Sequence, residues 1–139
     1  MKINLIPPAV ILYTEKGMTW QAGAARAFLV RIKAEHAGDT GLLAHELMHV
    51  KIFWLVTLVS ALLIYLTAPI ELLPLALAVK GLAYKFIPAW RLREEVICYR
   101  AQGNAYNDDK DRTPIFADLI STRYDLDITK EDARVLLLK

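Results

Sequence analysis

At 139 residues the chain has the length of one domain, and a formal net charge of +2 is too mild to point to nucleic acid as a partner. Its single cysteine, Cys98, excludes an intrachain disulfide and a cysteine-based zinc site, leaving a small buried thiol as the default reading. Hydrophobic residues make up 55% of the chain, and the excess is concentrated in its middle.

Residues 9–13 (AVILY) predict a short strand, and the apolar run there is broken by Pro7-Pro8 in a way unlike a signal peptide. Ala27–Lys33 alternates, with Phe28, Val30 and Ile32 on one face and Arg31 and Lys33 on the other, the pattern of a half-buried strand. A polar loop with His36 follows. A helix then starts near Gly41, capped by Asp39 or Thr40, and meets no breaker before Pro69. From Ile52 to Ile70 it carries 19 consecutive uncharged residues, the length and polarity of a membrane-spanning helix. Glu71–Phe86 reads as a second helix with Pro74 in its first turn, broken by Pro88. A third helix is expected over about Arg91–Gln102, then a polar loop to Arg112. Asn107, Asp109, Asp111 and Asp118 have a spacing like a calcium loop. However, Arg112 stands where the sharp-turn glycine belongs, so a solvated loop is the better reading. Thr113-Pro114 opens a helix to about Arg123 with Ile115, Phe116, Leu119 and Ile120 inward. Thr129–Asp132 resembles a capping box for a last helix with Ala133, Leu136 and Leu137 inward.

The chemistry sits at His45-Glu46-Leu47-Met48-His49. Residues four apart share a helix face, so both imidazoles can address one metal ion, with Glu46 beside them as a proton acceptor. Catalytic zinc usually takes a third protein ligand. A histidine six residues after His49 would complete a metzincin pattern, but that position is Leu55. The remaining common solution is a glutamate on a later helix, where Glu94 and Glu95 stand side by side.

With these elements the chain resembles the gluzincin clan of zinc metallopeptidases. The matching parts are Leu43–Val50, the preceding strand and the downstream glutamate helix, over about residues 25–105. The resemblance implies His45 and His49 as zinc ligands, one downstream glutamate as the third, and Glu46 as general base for a zinc-activated water. The clan's downstream pattern fits Glu95 followed by Tyr99 better than a frame starting at Glu94, which stays as the alternative ligand. Tyr99 is a candidate oxyanion donor, as is His36. The apolar spacer is similar to that of membrane-embedded gluzincins, which are far longer. The small size and the ending F-A-D-L-I-S-T-R-Y-D are closer to small zincin-like proteins of phages and prophages.

The expected fold is therefore α+β and mostly helical: one zincin-like domain over 1–139, with a strand or two before the motif helix and residues 52–87 as a hydrophobic helical hairpin. The expected partners are a peptide or protein substrate and a membrane. Lys51, Arg91 and Arg93 flank the hairpin and place the zinc site on the cytoplasmic side. Two other readings compete: a non-catalytic membrane-associated or scaffold protein with a structural or degenerate metal site, and a soluble helical bundle whose apolar stretch is its core. Glu46 favours the enzyme, because a purely structural site has no use for it.

Overall fold

The computed structural model describes residues 2–16, 18 and 21–139. The fold is α+β and mostly helical, with four short strands followed by five helices. Strands β1 (Lys2–Leu5) and β2 (Pro8–Tyr13) pair antiparallel, as do β3 (Gly23–Arg26) and β4 (Leu29–Ile32). A parallel β2–β4 ladder joins them in the order β1-β2-β4-β3, which leaves β3 on an edge. Gly23–Arg26 has no strand signal of its own, since it holds no β-branched or aromatic residue. It is a strand because β4 supplies the ladder. The alternating segment is also shorter than its pattern indicates. Ala27 adopts φ 52°, the left-handed region, and turns the chain between β3 and β4. Phe28 consequently leaves the buried face and is 51% exposed, while Val30 and Ile32 are buried.

Helix α1 (Thr40–Thr67) runs unbroken for 28 residues, about 42 Å. Asp39 is its cap, with its carboxylate accepting the Leu42 N–H at 2.7 Å. Leu42, Leu43, Leu47, Val50 and Trp54 recur at helical spacing and pack on Ala9, Ile11, Val30 and Ile32 of the sheet. The Trp54 indole N–H donates to the Pro8 carbonyl at 2.9 Å and fastens the helix to the first residue of β2. Gly41 lies under the Tyr106 ring, where a Cβ would stand 2.2 Å from the nearest ring carbon.

The expected helix over 71–86 is divided. Residues Ile70–Leu75 form a 3₁₀ segment, and α2 begins only at Ala76 and runs to Phe86. Pro74 has no N–H for the bond to residue 70, so the tighter hydrogen-bonding pattern takes over at the reversal. Pro88 opens the next helix rather than merely ending one, taking the first turn of α3 (Pro88–Ala105). Helix α4 (Thr113–Arg123) includes Thr113 itself and is preceded by Arg112 at the cap position. The Thr113 N–H is met by the Asp111 carboxylate at 2.9 Å. Ile115 is 60% exposed rather than inward, whereas Phe116 and Ile120 are buried. Helix α5 (Lys130–Leu138) is capped by Thr129, whose hydroxyl accepts the Asp132 N–H at 3.1 Å. Ala133 joins Val96, Tyr99, Phe116 and Ile120 in a second core, with Leu136 and Leu137 against it. Asp118, the last residue of the calcium-like spacing, pairs with Lys130 at 2.9 Å.

Beyond Thr57 the outer half of α1 carries no buried residue, and Leu58, Leu62 and Leu66 are each more than half exposed. Among the described residues α1 is the one helix long and apolar enough to cross a membrane, and 22% of its most apolar stretch is buried in the protein.

Candidate metal centre

Where α1 lies beside α3, two helix faces meet and no water reaches most of their side chains. Helix α1 contributes His45, Glu46 and His49, all buried. From α3 come Glu94, Glu95, Cys98 and Tyr99, also buried. A chain reversal through the hairpin is what returns α3 to α1. The Nε2 of His45 stands 3.6 Å from Glu95 Oε2, and the Nε2 of His49 stands 3.5 Å from Glu95 Oε1. A tetrahedral zinc site with bonds near 2.0–2.1 Å separates its donor atoms by about 3.3–3.4 Å, so the observed spacing fits an ion among these groups. His45, His49 and Cys98 also form a cluster whose ligand atoms all lie within 4.8 Å of one another. The buried residues around the α1–α3 contact could therefore hold a metal ion. A single cysteine excludes an all-cysteine site but not a mixed one, and Cys98 lies inside the cluster rather than in a remote core.

The adjacent glutamates are used differently. Both oxygens of Glu94 are occupied. His49 Nδ1 donates to Oε1 at 2.6 Å, Lys80 Nζ donates to the same oxygen at 2.5 Å, and the Trp90 indole N–H donates to Oε2 at 3.0 Å. A donating Nδ1–H leaves the His49 Nε2 lone pair facing Glu95, the tautomer a metal requires. On Glu95, Oε1 accepts the Tyr84 hydroxyl at 2.5 Å, while Oε2 has no hydrogen-bond partner among the described residues. Glu46 Oε2 and His45 Nδ1 are likewise buried without one. Unsatisfied buried polar atoms cost stability, and their clustering here fits a ligand-binding centre.

Electrostatics follow from this packing. Burial pushes the Glu46 carboxyl above its ordinary range, only partly offset by His45 and His49. Burial acts the same way on Glu95, but His45, His49 and Tyr84 outweigh it and hold that carboxyl low. Glu94 is also held low against burial, by His49 and Lys80. Burial opposes a charged His49, yet the Glu94 hydrogen bond and the nearby carboxylates raise its pKa. The Cys98 thiol is pushed up by burial and by the same carboxylates. Three buried carboxylates around two imidazoles favour a cation between them.

Glu46 stands against the edge strand. A Cβ on Gly23 would lie 2.6 Å from Glu46 Oε1, so only glycine lets the carboxylate occupy this place. Two cavities, of about 450 and 260 Å³, share Gly23, His45, Glu46 and Tyr124 in their walls. The larger continues along β3 between Phe53 and the α2 residues Leu77, Gly81 and Tyr84. The smaller reaches His36, Asp39 and Gln102. Tyr99 packs edge-on against His45 with ring centres 4.5 Å apart, and its hydroxyl shares a 2.9 Å hydrogen bond with that of Tyr124.

The structure thus brings His45, Glu46, His49, Glu94, Glu95 and Tyr99 into one place and sets His36 at the rim of the smaller cavity. It adds Lys80, Tyr84, Tyr124 and Gly23, which no motif marked. A signal for the first two was present: a lysine and a tyrosine four apart on a mostly apolar helix share one face. Tyr124 and Gly23 had none, because their roles depend on where other elements pack. No protein-family profile matches the chain, and neither a curated protein nor a solved structure does.

Proposed function

We propose that the protein is a zinc-dependent metallopeptidase of gluzincin type, held at a membrane by the hairpin over 52–87. The observation that carries this reading is the approach of both Nε2 atoms to Glu95, with Glu46 beside them in an open groove. His45, His49 and Glu95 would hold the ion, and Glu94, with both oxygens engaged by protein donors, orients His49 instead of binding. A zinc ion held by these residues would supply a water of near-neutral pKa and a Lewis acid for a carbonyl. Glu46 accepts the proton of the attacking water and returns it to the leaving amine. The groove along β3 suits an extended polypeptide, since an edge strand offers unpaired backbone groups to a substrate. Tyr99 and Tyr124, whose joined hydroxyls border the smaller cavity, supply the hydrogen bond to the developing oxyanion.

The exposed leucines of α1 and α2 support membrane association, and Lys51, Arg91 and Arg93 at the hairpin base support a zinc site on the cytoplasmic side. The test is metal analysis of the purified protein beside Glu46→Gln, with a broad peptide-cleavage assay. One zinc per chain in both proteins and cleavage only by the wild type is the expected result. Wild-type cleavage by Glu46→Gln would reject the mechanism.

The His45–His49–Cys98 cluster favours a second reading, a structural metal site with a thiolate ligand. Cobalt substitution separates the two, because a thiolate ligand adds an intense near-ultraviolet charge-transfer band that the His-His-Glu set lacks.

A further inference from the structure

We infer that the return helix α2 is built into the metal centre, so that zinc affinity and the seating of α2 are coupled through Lys80 and Tyr84; this rests on the zinc site proposed above. The two residues occupy one face of α2, with the Lys80 ammonium 5.0 Å from the Tyr84 ring centre. Each grips one of the adjacent glutamates: Lys80 reaches Glu94 and Tyr84 reaches Glu95, both at 2.5 Å. Glu94 in turn fixes the His49 ring at 2.6 Å. One helix therefore positions a ligand carboxylate directly and a ligand imidazole at one remove.

The rest of α2 shows why this matters. Its one buried residue is Ala76, while Leu77, Leu82 and Phe86 face outward at 56, 54 and 66% exposure. Lys80 and Tyr84 turn inward while the large apolar groups and Lys85 face outward, the reverse of the usual arrangement in a globular protein. Apolar burial contributes little to holding α2 against α3, so the two polar contacts have a large share. Lys80, with its side chain 13% exposed, is costly to bury without Glu94. Seating α2 and ordering both glutamates are then one event. Linkage requires the reverse as well: if a seated α2 favours zinc, zinc favours a seated α2 by the same factor. Lys80 and Tyr84 are positioning residues in this scheme, not ligands.

The experiment uses the full chain in dodecylmaltoside micelles and reads two quantities, zinc affinity by chelator competition and amide exchange in α2. Lys80→Met should weaken zinc binding by about 10-fold to 100-fold, the usual effect of losing a group that orients a ligand. Lys80→Arg, which keeps the charge, should retain most of the affinity. In the wild type, zinc should slow exchange across α2, and in Lys80→Met it should not. Tyr84→Phe removes one hydroxyl with little change in shape and should weaken binding severalfold, which keeps the test open if Lys80→Met fails to fold. Wild-type affinity in both Lys80→Met and Tyr84→Phe, or zinc-independent exchange of α2 in the wild type, would overturn the coupling while leaving the zinc site intact. A wild type that binds no zinc would instead reject the centre itself.

Discussion

Glu46 and Gly23 illustrate how tightly the site is specified at the level of single residues. Under the proposed mechanism Glu46→Gln keeps the size and shape of the side chain but removes the base, so hydrolysis should fall by about 10²–10⁴-fold with zinc content unchanged. Gly23→Ala tests the same carboxylate from the opposite side. Its Cβ would stand 2.6 Å from Glu46 Oε1 and push the base out of place. Because misplacement by about 1 Å costs on the order of 10²-fold, Gly23→Ala should lose activity on that scale while binding zinc normally. Steady-state kinetics beside metal analysis check both. Glu95→Ala should abolish stoichiometric zinc, and Cys98→Ser should leave it unchanged. The opposite pattern would transfer the third ligand to the thiol. Side by side on one helix, Glu94 and Glu95 could not be told apart in their ligand roles by phase alone. Their difference is set by Lys80 and Tyr84 of α2 and by Trp90 one turn earlier on α3 itself.

At the scale of elements, α1 was legible almost to the residue. Its cap, its apolar stripe and the absence of any breaker before Pro69 are local properties, and local properties decide helices. Asp39→Ala should lower stability by about 1 kcal/mol through loss of the Leu42 contact. Trp54→Phe removes the hydrogen bond to the Pro8 carbonyl and should cost about 0.5–1.5 kcal/mol. Urea unfolding monitored by circular dichroism in a fixed detergent measures both. The strands were less legible. The apolar run of β2 and the core of β4 are marked by their own residues, whereas Gly23–Arg26 is a strand by virtue of its neighbour. Pro74 and Pro88 were recognisable as punctuation. Their effects, a 3₁₀ reversal and a helix start, depended on which direction the chain had to take next.

For the whole molecule, the question is what covers the outer faces of α1 and α2. The uncharged part of α1, Ile52–Thr67, spans about 24 Å, approaching the roughly 30 Å of a bilayer's hydrocarbon core. Because Glu95 faces both histidines, the chain must return to the side from which it left. A membrane-inserted hairpin then keeps both ends of the chain on one side. Single cysteines placed at positions 2 and 139, in a Cys98→Ser background, should both resist an impermeant thiol reagent applied to intact cells. Labelling at one end alone would refute the hairpin, and full recovery in the soluble fraction would show that the outer faces pack on protein.

The sequence by itself determined the helical motif, its histidine spacing and the apolar excess, because these depend on residues within a few turns of one another. It also pointed to a downstream helix as the source of a third ligand for any metal held there. Only the tertiary structure decided which oxygen atoms of Glu94 and Glu95 are occupied, that Lys80 turns inward on an apolar helix, and that Cys98 stands beside the histidines. Each of these depends on contacts between different helices, where the position of a side chain is fixed largely by the helix packed against it and less by its own neighbours.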